Sequence, residues 1–175
     1  MSSAEDHRSP EWIALERENQ DMDLRLERNH TLFAQVRAAT SQLIGARSRS
    51  EALDTALEIV ANLLGCEDAA IFEMDGGELV PIRAVGEHAM RATRVRVGEG
   101  IVGESAARRT AQYSDGGVLA AVPLLVAGRA RGVLALFRLL PQKTELGPTD
   151  RDLLETVAGL CGLVLWALRD EGARA

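Results

Sequence analysis

Residues 118–140 read VLAAVPLLVAGRARGVLALFRLL and carry the clearest secondary-structure pattern of the chain. Two apolar runs, 118–126 and 132–140, are separated by Ala127-Gly128-Arg129-Ala130, a short segment suited to a turn. Both runs are almost continuously apolar, which is typical of strands that are buried on both faces. The stretch therefore predicts a β-hairpin at the heart of a sheet.

Further strand-like runs lie upstream of this hairpin. Residues 69–74 and 78–84 flank Asp75-Gly76-Gly77, a tight-turn sequence, and predict a second hairpin. Arg and Val alternate over residues 94–97, which predicts a half-buried strand with Val inward and Arg outward. Residues 110–115 are expected to supply one more short strand.

A glycine-rich segment follows the strand at 94–97. Gly98-Glu99-Gly100 is expected to turn the chain into a short helix over residues 101–109, in which Gly103 permits a close backbone approach. The three glycines resemble a GxGxxG string, but the segment lacks the βαβ context and the downstream acid of a dinucleotide site. We interpret these glycines as turn chemistry.

A helix is predicted just before the strands. Ser48 and Glu51 have the spacing of a capping box, and apolar residues then recur at helical spacing as far as Leu64. Gly65 is a suitable C-terminal stop. The apolar face of this helix is expected to cover the sheet.

The last predicted helix opens at Pro148, with Thr149 as its expected N-cap, and runs to about residue 170. It is apolar almost all round, and a helix of that kind must be buried on every side. One face can cover the sheet. The other is expected to meet a partner chain through Leu160, Val164 and Leu168.

The N-terminal region predicts one long helix, because no Pro or Gly occurs between Pro10 and Gly45. Heptad spacing runs through this helix with a mostly apolar stripe, as in a coiled coil. The residues of the stripe that we assign to a dimer interface are Trp12, Leu15, Asn19, Met22, Leu26, Asn29, Phe33 and Val36.

The apolar stripe does not by itself determine what the helix packs against. Asn19 takes an a position, where a buried amide costs stability but fixes register. In a parallel homodimer Glu18 would face Asp23 of the second chain, a like-charge contact, so antiparallel or heteromeric pairing is also allowed. The stripe can instead pack against the domain of its own chain.

Composition excludes some classes of function. The 175 residues carry a net charge of −6, which opposes non-specific binding to nucleic acid. The first residues contain no apolar run that could serve as a signal peptide, and the longest apolar run, 160–168, is about half the ~20 residues that a membrane span needs. We therefore expect a cytoplasmic protein without membrane insertion.

The order of these segments resembles the GAF domain family. The matching motifs are Gly98-Glu99-Gly100-Ile101-Val102-Gly103, Ala121-Val122-Pro123-Leu124-Leu125 with Gly132-Val133-Leu134-Ala135-Leu136, and Thr149-Asp150-Arg151-Asp152-Leu153-Leu154. The resemblance implies an α+β fold with an antiparallel, five- or six-stranded GAF/PAS-like sheet and helices on one face. It also implies a small-molecule pocket on the other face in many members, and a frequent parallel bundle of first and last helices between two subunits.

The resulting organisation has four parts. Residues 1–9 are a tail, 10–46 a coiled-coil-type dimerisation helix, 47–170 the GAF-like domain and 171–175 a second tail. Only residues 104–117 are present where ligand-binding members usually place a longer connection, so little chain is left to roof a pocket.

No cofactor or metal site is predicted. Lys143 has no counterpart of the Asn-Lys-Phe-Asp-Glu constellation that cyclic-nucleotide-binding relatives carry. Bilin-binding relatives attach pigment to a Cys beside a His, and neither Cys66 nor Cys161 has such a neighbour. One enzymatic branch of the family reduces free methionine sulfoxide with loop cysteines, and neither cysteine is expected in such a loop. We therefore assign no catalytic residue.

A shallow polar groove is the one candidate ligand site. The residues that could line it are Arg94, Arg96, Glu99, Glu104 and Arg108. An ordinary solvated surface is the alternative.

Three functions follow from these observations. The first is a non-catalytic regulatory or signalling module that dimerises, as a homodimer or heterodimer, and binds another signalling or regulatory protein. The second is a sensor whose small ligand alters a partner protein. The third is a free methionine sulfoxide reductase.

Overall fold

A computed structural model describes residues 9–172, with side chains for residues 9–168. The elements are α1 (Pro10–Gly45), α2 (Arg49–Leu64), β1 (Cys66–Asp75), β2 (Glu78–Val85), a 3₁₀ turn (Ala89–Arg91), β3 (Val95–Arg96), α3 (Gly100–Arg108), β4 (Gln112–Tyr113), β5 (Ala120–Val126), β6 (Arg129–Leu139) and α4 (Pro148–Gly172). The contacts of the chain divide it into two compact units, Met1–Arg37 and Ala38–Ala175.

The long N-terminal helix is confirmed over its predicted length. The backbone N–H of Trp12 donates to the carbonyl oxygen of Ser9 at 2.9 Å and to its hydroxyl at 3.3 Å, so this serine satisfies a free amide of the first turn. The apolar residues Ala39 and Leu43, which lie in the second unit, are buried.

Six antiparallel strands form one sheet in the order β3-β2-β1-β6-β5-β4. Both predicted hairpins are present: Asp75 pairs with Glu78 at one turn, and Val126 pairs with Arg129 at the other. β1 and β6 are central, which explains why their residues read as continuous apolar runs.

Helices α2 and α4 cover one face of this sheet and pack against each other. Gly162 of α4 lies so close to β5 that an added Cβ would come within 3.2 Å of the backbone of Leu124. Residues of β1 and β6 that alternate with those of the opposite face, among them Ile71 and Leu134, are fully buried here.

The second face carries α3 and the 3₁₀ turn. A buried cluster joins Val102 and Ala106 of α3 to Phe72, Leu79 and Val133 of three strands. Gly103 makes this packing possible, since a Cβ there would lie 2.2 Å from the carbonyl oxygen of Arg96. The predicted close backbone approach is therefore confirmed.

Most of the predicted helix ends are confirmed. The Ser48 hydroxyl accepts the N–H of Glu51 at 3.2 Å, the Glu51 carboxylate accepts the N–H of Arg47 at 2.8 Å, and Gly65 ends α2 in the left-handed conformation. In α4 the helix already begins at Pro148, and the carboxylate of Asp150 accepts the N–H of Gly147 at 2.9 Å. Thr149 therefore lies inside the first turn and is not the N-cap, and Asp150 reaches back to the residue that precedes the helix.

None of the helices in the described part of the chain combines the length and apolarity that a membrane crossing requires.

Candidate functional site

The apolar stripe predicted on α1 is exposed along most of its length. We call its eight residues the α1 seam: Trp12, Leu15, Asn19, Met22, Leu26, Asn29, Phe33 and Val36. Phe33 is 77% exposed and Leu26 is 55% exposed, whereas Val36 is half-buried. Burying a large apolar side chain contributes about 1.5–3 kcal/mol, so covering this seam would stabilise the helix considerably.

The three residues of α4 that the sequence assigned to a partner contact are less exposed than expected. Leu160, Val164 and Leu168, which were assigned to a partner contact, are each half-buried within their own unit. The exposed ridge is formed instead by Leu163, which is 56% exposed, and Ala167. The difference arises because α2 covers a second side of α4 in addition to the sheet.

The five residues of the predicted polar groove lie at or near the surface around α3. Arg108 pairs with Glu104 one turn earlier at 3.6 Å, while Arg94 pairs with Glu78 of β2 at 3.4 Å. Arg96 and Glu99 flank the turn that leads into α3, and both are exposed. The structure thus pairs the side chains of Glu104 and Arg108, and the N–H of Glu99 donates to the carbonyl oxygen of Arg96 at 3.0 Å. Exposed ion pairs of this kind contribute little binding or folding energy.

Apolar side chains fill the sheet face on which the family resemblance implies a pocket. Phe72, Leu79, Val102 and Val133 are buried there. Partly buried residues pack around them, among them Met74, Ile101, Val118 and Phe137. Side chains therefore occupy the space that a ligand would need beneath α3.

A buried carboxylate, Asp68, is the main polar feature that the sequence did not predict. It is fully buried at the start of β1, accepts the backbone N–H of His88 at 2.9 Å, and forms an ion pair with Arg138 whose Oδ2–Nε distance is 3.0 Å. Burial alone would raise the pKa of the Asp68 carboxyl, but the hydrogen bonds from His88 and Ala89 and the charge of Arg138 outweigh it and lower that pKa.

Gly86 completes the surroundings of this carboxylate. It adopts φ +88°, and a Cβ there would stand 2.0 Å from Oδ1 of Asp68. The side chain of Asp68 therefore ties the end of β2 and the 3₁₀ turn to β1 and β6. Its partners lie 20 and 70 positions away in sequence, so the one signal in the sequence is an acidic pair, Glu67-Asp68, just before the apolar run 69–72.

Both cysteines are buried and form no disulfide. Burial raises the pKa of the Cys161 thiol to about 12. Burial likewise raises the pKa of Cys66 to about 11, although its thiol lies 3.2 Å from the carbonyl oxygens of Asp68 and Arg138. A thiol of this kind holds almost no nucleophilic thiolate at neutral pH.

Two open grooves flank Tyr113 at the β4 edge of the sheet. One, of about 340 Å³, reaches Leu139 and Arg151, and the other, of about 410 Å³, reaches Pro123 and Gly159. The Tyr113 hydroxyl donates to Glu155 at 2.9 Å, and the guanidinium of Arg151 lies 4.5 Å from the centre of its ring. Burial, followed by the hydrogen bond to Glu155, raises the pKa of Tyr113, so it stays a neutral donor.

Within residues 9–168, no three His, Cys, Asp or Glu side chains come close enough together to hold a metal ion.

Comparison with known proteins identifies the relatives of this fold. A family model described as GAF domain matches residues 48–165. No match was found among curated protein sequences. The GAF domain of a phosphoenolpyruvate-protein phosphotransferase from Acinetobacter shares 15% identity, with 82% of this chain and 98% of that chain covered and a TM-score of 0.69.

Two other solved structures show how varied these relatives are. The GAF domain of A. aeolicus nlh2 in an inactive state shares 19% identity, with 81% of this chain and 98% of that chain covered and a TM-score of 0.65. A free methionine-R-sulfoxide reductase from Neisseria meningitidis, solved with its substrate, also shares 19% identity, with 78% and 89% covered and a TM-score of 0.64. At these identities the likeness establishes the fold alone.

Proposed function

Since the chain belongs to the GAF domain family, we propose that it is a non-catalytic regulatory module that acts by pairing with a second chain through the α1 seam. The observation that carries this proposal is the exposure of five large apolar side chains at heptad spacing: Trp12, Leu15, Met22, Leu26 and Phe33. A helix with such an exposed stripe gains its stability by burying it against a partner. The paired module would then bind another signalling or regulatory protein.

The state of the thiols supports a non-catalytic role. The structural relatives include a reductase that acts on free methionine sulfoxide, so thiol chemistry is the enzymatic alternative. Such chemistry needs an accessible thiolate, whereas Cys66 and Cys161 are buried and have raised pKa values. The same unpaired thiols favour a reducing compartment, and we propose the cytoplasm.

A ligand sensor is the second candidate, and the grooves beside Tyr113 favour it. The groove of about 410 Å³ is lined by Pro123 and Gly159 together with the charged residues Arg109 and Glu155. A small molecule held there would contact both β5 and α4, and its occupancy could alter the binding of a partner protein. Native mass spectrometry of the purified chain tests this candidate, because a reproducible added mass would identify a retained ligand.

The test of the leading proposal is a pair of double variants on α1. Leu26→Asp with Phe33→Asp places two charges in the seam, where burial without a partner is costly. Leu24→Asp with Thr31→Asp is the matched control, because it adds the same charges at the same spacing to side chains that are exposed but lie outside the seam.

We expect native mass spectrometry to show a dimer for the parent chain and the control variant, and a monomer for the seam variant. Circular dichroism should show that the sheet stays folded in both variants. A parent chain that is monomeric at micromolar concentration, or a seam variant that still dimerises, would contradict the proposal.

A further inference from the structure

We infer that the partner of the α1 seam is a second copy of this chain running antiparallel, in the register that sets Trp12 of one copy opposite Val36 of the other. This inference rests on the proposed function and adds the identity, direction and register of the partner. Two independent patterns in α1 carry it, one in the seam and one in the charges beside it.

The seam reads the same in both directions about Leu24. Its eight residues run apolar, apolar, Asn, apolar, apolar, Asn, apolar, apolar. In an antiparallel pair each a residue packs against a d residue of the other helix. The layers would be Trp12 with Val36, Leu15 with Phe33, Asn19 with Asn29, and Met22 with Leu26, each occurring twice.

The two asparagines fix this register. A shift of one heptad in either direction would set Asn19 against Met22 or against Val36, which leaves a desolvated amide without a polar partner. Only the register centred on Leu24 lets each Asn meet an Asn. The apolar layers also stop at Val36, upstream of Leu43, whose side chain is already buried in its own chain and cannot serve a partner.

The charges of α1 select the direction. Residues 10–23 contain five acidic side chains and one arginine, a net charge of −4. Residues 25–37 contain three arginines and one glutamate, a net charge of +2 with His30 neutral. The sign therefore changes at Leu24, the point about which the seam is symmetric.

The seam residues alone do not distinguish a parallel pair from an antiparallel pair. Identical helices in parallel would also match every seam residue with itself. They would, however, set the −4 half beside the −4 half, and Glu18 beside Asp23 of the second copy. The antiparallel pair sets each acidic half beside a basic half, so the net charges of the halves attract, whereas in the parallel pair the net charges of like halves repel.

Spin labels at two positions test the direction. Ala14→Cys and Leu24→Cys each place one label on α1 outside the seam, at exposed positions. In the antiparallel register the two labels at residue 14 are separated along the axis by the rise between residues 14 and 34, about 30 Å at 1.5 Å per residue. The two labels at residue 24 lie at the same level in either direction, so that position reports pairing alone.

We expect pulsed electron resonance to give a short distance at Leu24→Cys and a distance longer by at least about 15 Å at Ala14→Cys. Short distances at both positions would show parallel pairing, which overturns the inference and leaves the proposed function standing. The absence of a dipolar signal at both would overturn both. The parent chain, carried through the same labelling, measures any background from the buried Cys66 and Cys161.

Salt dependence gives a second readout of direction. Added NaCl screens charges between the helices, so it should weaken the antiparallel dimer and raise its Kd. A parallel dimer would respond in the opposite sense, because salt relieves its repulsion. Sedimentation equilibrium at low and high NaCl measures the sign, and tighter pairing at high salt would contradict the antiparallel arrangement.

Discussion

Asp68 shows how a single charged side chain can be kept in an apolar strand. A buried carboxylate is tolerated only when hydrogen bonds and a countercharge replace the water that it loses. Here the backbone N–H of His88 and the guanidinium of Arg138 supply them, and Gly86 leaves room for the carboxylate. The result is a link between β1, β6 and the turn after β2, which come together only in the folded chain.

The lowered pKa of Asp68 makes this link pH-dependent, which Asp68→Asn can test. The parent chain gains stability from the ionised carboxylate above the unfolded pKa of about 3.9 and loses it as pH falls towards the lower folded pKa. We expect Asp68→Asn to lower the free energy of unfolding by about 2 kcal/mol at neutral pH, and by less below about pH 4. Urea unfolding at several pH values measures the difference.

A neighbouring substitution serves as the control for this experiment. Glu67 also pairs with Arg138, at 3.1 Å, but its side chain is 41% exposed, whereas that of Asp68 is fully buried. Glu67→Gln should therefore cost less than about 0.5 kcal/mol at any pH. If Asp68→Asn costs the same at pH 3 as at pH 7, the role of Asp68 is steric and its charge is unimportant.

The hydrogen-bond and ion-pair partners of Asp68 could not be predicted from the sequence. The partners of its carboxylate, His88 and Arg138, are distant in sequence and come together only through strand register. By contrast, the capping of α2 by Ser48 was predictable, because it depends on Glu51 three residues later. Local hydrogen bonds leave a spacing signal in the sequence, and long-range ones do not.

At the scale of elements, α4 is held by an unusually close contact with the sheet. Gly162 faces the backbone of β5, and a Cβ there would meet Leu124 and Leu125 at 3.2–3.3 Å. Gly159 lies nearly one turn earlier on the same helix, where an added Cβ would touch nothing within 4 Å. The two glycines therefore separate the effect of helix propensity from that of packing.

Alanine at these two positions should shift stability in opposite directions. Gly159→Ala is expected to raise the free energy of unfolding by about 0.5–1 kcal/mol, because alanine loses less conformational entropy in a helix. Gly162→Ala gains the same propensity but must push a backbone segment of β5, so we expect a net loss of about 1 kcal/mol or more. Thermal unfolding of both variants measures this, and equal stabilisation would show that α4 can move away from the sheet.

Element boundaries show the same division between local and long-range causes. The two hairpins were predictable because each turn and its flanking strands carry their own pattern, such as Asp75-Gly76-Gly77. β3 is shorter than the predicted strand at 94–97, and just beyond it the N–H of Gly98 donates to the carbonyl oxygen of Gly103 at 2.8 Å, where the chain turns into α3. The exposed ridge of α4 at Leu163 was not predictable either, because it depends on where α2 packs.

At the scale of the whole molecule, the two compact units contain one tryptophan each. Trp12 lies in the unit Met1–Arg37, and Trp166 lies in the unit Ala38–Ala175 beneath the guanidinium of Arg131, 4.0 Å from its ring centre. These are the two tryptophans of the sequence, so each unit can be followed separately by fluorescence.

The last prediction uses this arrangement. Trp166→Phe leaves Trp12 as the reporter of the α1 seam, and Trp12→Phe leaves Trp166 as the reporter of the sheet unit. Pairing between two chains makes unfolding depend on protein concentration, by about 1.4 kcal/mol for each tenfold change, while folding within one chain does not. We expect the Tm reported by Trp12 to rise with protein concentration and the Tm reported by Trp166 to stay constant.

Loss of the cation–π contact in Trp166→Phe would lower the stability of the sheet unit by about 0.5–1 kcal/mol, but it would not create a concentration dependence. If the Tm reported by Trp12 does not change with protein concentration, α1 is not stabilised by a second chain. If the Tm reported by both tryptophans rises with concentration, pairing of the chains and folding of the sheet unit are coupled.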